Sequence, residues 1–274
     1  MSAPLVVKLG GSCVEQLDEL WWDDLAGVIR ARRVLLVHGW SGPLGRFDPR
    51  HGRPAAFLRD RYGNRSRWTT PQVIEDIRVV SASVRAAIAG KLAARGLRVE
   101  GVLGCDGLLL AGPGERLWWQ DGRLVELDNL VGPVASVDPS RLTACSPDPA
   151  STLVTPLARD AGGRTVNTDA DRAAAALAGA LGAAALVLVT DVPNFFIDGE
   201  PVERLAAAEA IRHRDGKTTG GMRKKLRAAV EALENGTPEV VLGNGSVTAM
   251  VAGGAGTAIT REGNPNAPRT EHRT

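Results

Sequence analysis

Short β-rich runs alternating with helical ones predict an α/β fold: a mostly parallel sheet layered with helices. Three observations carry this prediction. The strand candidates are residues 4–9, 33–38, 98–103, 152–155, 185–190 and 238–242, and several are continuous Val/Leu runs, as in strands covered on both faces. Residues 71–95 form the clearest helix, with Val73, Ile77, Val80, Val84, Ile88 and Leu92 recurring at spacings of 3 and 4. Thr70 suits its N-cap, Pro71 its first position and Gly96 its stop. The third observation is a helix over 221–235, with Met222, Leu226, Val230 and Leu233 on one face and Gly236 after it. An alanine-rich helix ending near Gly182 leads into the strand 185–190. Residues 39–67, full of Gly, Pro and Arg, and residues 112–151, which mix short strand-like pieces with Pro and Gly, both read as loops, and 261–274 read as a flexible tail.

The length of 274 residues suits one domain of two lobes, or two small domains. A hydrophobic fraction of 44% against 23% charged residues describes an ordinary globular chain rather than a disordered one. Lys plus Arg total 33 against 31 acidic residues, a net charge of +2, which argues against a dedicated nucleic-acid binder. Cys13, Cys105 and Cys145 are far apart, so they suggest neither a disulfide framework nor a CxxC metal site, and a reducing cytoplasm is the expected compartment. The N-terminus meets Lys8 and two glycines too soon for a secretory signal. The longest uncharged run, Ala173–Thr190, is too rich in Ala and Gly for a membrane span.

Several familiar motifs fail. Residues 215–218 read DGKT like the end of a phosphate-binding loop, but Ile211 stands where its first glycine belongs. There is no GxGxxG or GxSxG, and His38, His51, His213 and His272 lack metal-ligand spacing. Four polar clusters at strand ends stand out instead. In VVKLGGS (6–12), Lys8 in an apolar strand and the exposed N–H groups at Gly10 and Gly11 suit a polyphosphate; alone, a snorkelling lysine and a plain turn fit equally well. VHGWSG (37–42) offers backbone donors for a carboxylate, or an ordinary turn. In TVNTDAD (165–171), Asn167, Asp169 and Asp171 alternate before a helix, where they could hold a lysine, a substrate amide or hydrated Mg²⁺, or cap the helix. In KTTGGMRKK (217–225), glycines open a helix with Lys224 and Lys225 one turn in, either a phosphate site or a basic solvent-facing turn. Together they supply lysines from both ends of the chain, a carboxylate to hold them and two glycine-rich cradles, the parts phosphoryl transfer needs.

The order of these motifs resembles the amino-acid kinase family, acetylglutamate kinase branch. The pattern K-x-G-G-[ST], HGG, R-x-T, N-x-[ND]-x-D, [SD]-D-V and G-G-M-x-x-K is met by Lys8–Ser12, His38–Trp40, Arg67–Thr69, Asn167–Asp171, Thr190–Val192 and Gly220–Lys225. SRWT at 66–69, GCDGLLL at 104–110 and NTDADRAAAAL at 167–177 are similar to kinases that phosphorylate the side-chain carboxylate of α-aminoadipate or glutamate held through its amine on an acidic amino-group carrier protein of the LysW type. Two other readings are weighed beside this one: a kinase of free N-acetylglutamate, and a non-catalytic ligand-binding regulator on the same fold.

The resemblance implies a three-layer αβα sandwich, with an acyl-substrate lobe over 1–158 and a nucleotide lobe over 159–260. It implies ATP with Mg²⁺, no metal held by the protein itself, and a homo-oligomer, a dimer. Lys8 and Lys225 would stabilise charge on the transferring phosphoryl group and Asp171 would hold both. Gly39, Trp40, Arg67 and Asn167 would bind the acceptor. Gly10, Gly11, Thr190, Asp191, Phe195, Phe196, Lys217, Thr219, Gly220, Gly221 and Met222 would line the nucleotide site. Trp40 departs from the family's glycine; a glycine-only backbone angle there would cost about 1 kcal/mol or more, and its ring is expected to shape the acceptor pocket. Asn194 also replaces a glycine, a milder change because Asn tolerates left-handed angles. Finally, Arg46–Arg67 carries seven arginines against Asp48 and Asp60, a local charge of +5 in a chain of net +2. That concentration between two acceptor motifs is expected to receive the acidic carrier.

Overall fold

The computed structural model describes residues 3–145, 151–216 and 218–262. Eight strands make the central sheet: β1 (Leu5–Leu9), β2 (Val34–His38), β3 (Glu100–Leu103), β4 (Ser151–Thr155), β5 (Ala185–Val189), β6 (Arg204–Ala206), β7 (Glu239–Gly243) and β8 (Thr257–Thr260). Their order across the sheet is β6-β8-β7-β5-β1-β2-β4-β3. Only the β7–β8 pairing is antiparallel. β1, β2, β4 and β5 are buried along their whole length, which explains their unbroken apolar runs.

Helices cover both faces of this sheet, the αβα sandwich the motifs imply. On one side pack α1 (Glu19–Ala31), α2 (Pro71–Ala93) and α6 (Val247–Val251); on the other, α3 (Ala170–Ala180), α4 (Ala207–Asp215) and α5 (Gly220–Glu234). α2 follows its sequence signals. Thr70 accepts a hydrogen bond from the Val73 N–H, and Ile77, Val80, Val84, Ile88 and Leu92 are buried. Ile74 rather than Val73 turns fully inward at its start. α3 and α5 meet through small side chains. Ala174, Ala175 and Ala178 are buried on one and Ala228, Ala229 and Ala232 on the other, and a Cβ at Gly179 would lie 2.6 Å from the Asn235 Cβ. That close approach brings the C-terminal ends of the two helices together.

The expectation of loops over 39–67 and 112–151 is corrected: the second stretch holds three strands, placed below. The first holds a helix at Ser41–Phe47, 3₁₀ turns at Pro49–Gly52 and Pro54–Ala56, and a hairpin of Phe57–Asp60 with Arg65–Arg67. A second hairpin, Leu117–Gln120 with Arg123–Glu126, joins it in a four-stranded antiparallel sheet. Asp121 and Gly122, both at positive φ (48° and 75°), make its tight turn. Each strand of this sheet has few inward residues, Leu58 and Trp118 being the buried ones, so apolar periodicity is too short to register. A further small sheet orders Thr165–Asn167, Leu157–Arg159, Leu109–Ala111 and Val134–Val137. Of the expected tail, residues 263–274 lie outside the described residues. No helix among the described residues is long and apolar enough to cross a membrane.

Candidate active site

β1 sits between β5, whose chain continues toward one edge of the sheet, and β2, which continues toward the other. The carboxyl ends of strands at such a switch point open a crevice. Lys8 is the penultimate residue of β1, Thr190 and Asp191 follow β5, and Gly39 and Trp40 follow β2.

The glycine turns after β1 and β2 interlock. The Gly39 N–H donates to the Leu9 carbonyl at 2.9 Å. A Cβ on Gly11 would sit 2.5 Å from the Gly39 oxygen and 2.9 Å from the Trp40 nitrogen, so only glycine permits this approach. Below them, Asp171 in the first turn of α3 meets both lysines. Its Oδ1 ion-pairs with Lys8 Nζ at 2.7 Å without a well-directed hydrogen bond, and its Oδ2 accepts one from Lys225 Nζ at 3.1 Å. The three side chains are 8%, 7% and 12% exposed for Asp171, Lys8 and Lys225. Burial pushes the Asp171 carboxyl up, but the charges of Lys8 and then Lys225 outweigh it and hold the carboxyl well below the usual range. Burial likewise pulls the Lys225 ammonium down, and Asp171 more than restores it, so its pKa is raised. The group is thus two cations and one anion in a crevice of low dielectric, with a surplus positive charge.

Asp169, next to this group, caps α3 by accepting from the Asp171 and Arg172 N–H groups, and it pairs with Lys224 at 3.4 Å. Asp169 takes the capping role, which leaves Asp171 for the lysines. α5 begins at Gly220, at φ +63°, and its N-cap Thr219 makes no side-chain cap bond. A 15-residue helix therefore presents exposed first-turn N–H groups at Gly220 and Gly221. Thr190 is buried, donating its N–H to the Gly243 carbonyl and its hydroxyl to Asp191. Phe195 is buried edge-on to His213, Phe196 is exposed on the Phe195–Ile197 strand, and Met222 packs partly on the core. Lys217 lies outside the described residues. A groove of about 380 Å³, lined by Cys13, Asp18, Trp21, Thr190, Asp191 and Asn244, adjoins these strand ends. Glycine turns, open helix N–H groups and two buried lysines fit a nucleoside triphosphate. Among the described residues no group of three or more His, Cys, Asp or Glu side chains could hold a metal ion.

On the acceptor side, Asn167 is buried and its Nδ2 donates to Thr69 Oγ1 at 3.2 Å. The Thr69 N–H in turn donates to Asn129 Oδ1 at 2.7 Å. His38 is buried with Nε2 2.9 Å from Thr155 Oγ1. Burial, first, and the charges of Arg85 and Lys8 lower its pKa to about 4 against a smaller opposing pull from the Gly39 carbonyl, so the ring is neutral at pH 7. Asn129 and Thr155 hold Thr69 and His38 in place, and the sequence does not flag them, since neither stands beside a glycine turn. Arg67 lies in the hairpin sheet, donating to the His51 carbonyl at 2.7 Å with its guanidinium 4.8 Å from the centre of the Phe57 ring.

Trp40 corrects the expected strain. Its φ of −138° lies outside the left-handed region, so no glycine-only angle is needed. The ring is 4% exposed, set edge-on to His38 within the core, while its carbonyl starts the Ser41–Phe47 helix by accepting from the Leu44 N–H. Asn194 is likewise outside the left-handed region.

The chain belongs to the amino acid kinase family, whose model matches residues 3–244. It is 33% identical over 269 residues to the acetylglutamate kinase of Geobacillus stearothermophilus, covering 96% of this chain and 98% of that one. It is also 33% identical over 248 residues to the [LysW]-aminoadipate/[LysW]-glutamate kinase of Saccharolobus solfataricus, covering 88% and 92% respectively. Among solved structures, N-acetylglutamate synthase from Neisseria gonorrhoeae matches with a TM-score of 0.74 at 26% identity; the match covers 94% of this chain and 61% of that one.

Proposed function

We propose that this protein is an ATP-dependent carboxylate kinase whose acceptor is the side-chain carboxylate of α-aminoadipate or glutamate, held through its amine on an acidic amino-group carrier protein of the LysW type. The product is an acyl phosphate. The observation that carries the kinase reading is the buried Lys8–Asp171–Lys225 group between two glycine-lined strand ends. ATP, as co-substrate with Mg²⁺ on its phosphates, supplies the phosphoryl group. Lys8 and Lys225 stabilise the negative charge that spreads over the transferring group, and Asp171 fixes their positions beforehand. The N–H groups of Gly10, Gly11, Gly220 and Gly221 hold phosphate oxygens. The N–H groups of Gly39 and Trp40, with Asn167, orient the acceptor, in an acyl lobe over 1–158 facing a nucleotide lobe over 159–260.

The +5 segment Arg46–Arg67 supports the carrier over a free amino acid, since a small molecule needs no charge so broad. The equal identity to an acetylglutamate kinase favours a second reading, in which free N-acetyl-L-glutamate is the acceptor. Trapping the acyl phosphate with hydroxylamine decides between them. ATP-dependent hydroxamate from carrier-linked glutamate at a far higher kcat/KM than from N-acetyl-L-glutamate supports the first. The reverse ratio establishes the second, and no hydroxamate from either removes both. Light scattering tests the dimer implied by the resemblance.

A further inference from the structure

The four-stranded antiparallel sheet has two unlike faces. Leu58 and Trp118 are buried on the inner one. On the outer face, Arg59 stands opposite Arg65 and opposite Trp119, and Trp119 stands opposite Leu124. Directly opposed residues share a face, so Arg65, Arg59, Trp119 and Leu124 form one row across all four strands. All four are exposed, Trp119 by 45% and Leu124 by 43%.

The arginines of Arg46–Arg67 divide by what they already touch. Arg46 pairs with Glu15, Arg50 with Asp48 and Arg61 with Glu115, while Arg67 bonds the His51 carbonyl. Arg53, between the two 3₁₀ turns and outside this sheet, and Arg59 and Arg65, on it, have no acidic partner among the described residues. Arg59 donates to the Gly63 carbonyl at 3.3 Å, and Arg65 lies over the Phe57 ring at 3.6 Å, which holds its charge in place on the outer face. From the end of this strand at Arg67 the chain runs through Trp68 to Thr69, the residue bonded to Asn167. The row is therefore rooted at the acceptor end of the crevice.

We infer that the row Arg65–Arg59–Trp119–Leu124 is the docking face for the acidic protein that presents the acceptor. This deepens the carrier reading and rests on it. Two uncommitted arginines attract a partner's carboxylates, and the adjoining Trp and Leu give an apolar contact that charge alone does not supply. Glu115 and Glu126, paired with Arg61 and Arg116 next to the sheet's strands, break the positive field that a nucleic-acid backbone would need.

The test compares the parent with Arg59→Glu/Arg65→Glu and with Trp119→Ala, using a LysW-type carrier charged with glutamate, ATP and a range of NaCl. The face requires that the double reversal raise KM for the charged carrier about tenfold or more and flatten its salt dependence, while kcat at saturation and KM for ATP stay within about twofold. Trp119→Ala should raise the same KM about threefold to tenfold with the salt dependence kept. An active parent whose double variant keeps its KM and salt dependence overturns the docking face and leaves the carrier reading standing. A parent that phosphorylates N-acetyl-L-glutamate but not the charged carrier overturns the carrier reading and the face with it. Competition by oligouridylate that equals that of uncharged carrier, and is lost in the double variant, reassigns the face to nucleic acid.

Discussion

The Lys8–Asp171–Lys225 group and the hairpin sheet both gather positive charge, and they handle it in opposite ways. In the crevice, two lysines are buried and share one carboxylate. On the sheet, Arg59 and Arg65 are exposed and have no acidic partner among the described residues. Buried charge must be paired, and its reward is preorganisation toward charge that develops in a reaction. Exposed charge is screened over about 10 Å at 0.1 M salt, and its use lies in encounter. On the proposed function, the first region serves chemistry and the second recognition.

The largest expected effects break the chemical half. Lys8→Met and Lys225→Met should each lower kcat on the order of 10²-fold or more in an acyl-phosphate assay, because each removes a cation aimed at the phosphoryl group. Each also strips one partner from a buried carboxylate, so thermal unfolding should show a loss of about 1–3 kcal/mol. Near-normal turnover in both variants would remove the lysines from the mechanism.

Trp40→Ala tests where the two halves meet. A ring packed into the core implies a loss of about 3–5 kcal/mol in denaturant unfolding. The ratio of kcat/KM for carrier-linked glutamate to that for N-acetyl-L-glutamate should move by less than about threefold. A large shift in that ratio would put the ring back in the acceptor pocket.

His38 gives a smaller, pH-dependent signature. Its folded pKa of about 4 lies below the unfolded value of 6.5, so the unfolded chain binds more protons between these limits. Its contribution is fully present above pH 6.5 and falls as pH drops toward 4, by about 3 kcal/mol across the window. His38→Gln should flatten that part of the stability–pH curve. Unchanged curvature in urea melts from pH 7 to pH 4 would show that the imidazole does not titrate in this way.

The sequence is unequally legible across the same divide. Lys8, Gly10, Gly11, Asp171 and Gly220 stand next to long apolar runs or helix starts, so pattern and glycine spacing mark them together. The buried strands and α2 are readable for the same reason, since each has enough apolar positions to show a period. The hairpin sheet is not readable, because strands of three or four residues with arginines on one face leave single inward residues such as Leu58. Asn129 and Thr155 act only through contacts with residues 60 and 117 positions away, Thr69 and His38, which no local signal records. Trp40 shows the converse error. A glycine in relatives does not mean that the local backbone needs one, and here φ is −138°.

The central claim is that Asp171 organises the two lysines for phosphoryl transfer to a carboxylate. Hydroxylamine-trapped acyl-phosphate formation by Asp171→Asn, at saturating ATP and acceptor and with the fold checked by circular dichroism, tests it most directly. The variant keeps the size of the side chain and removes the charge that aligns Lys8 and Lys225. The account predicts a fall in kcat of about 10²-fold or more with KM for the acceptor within about threefold. A folded variant that turns over within about threefold of the parent would contradict it.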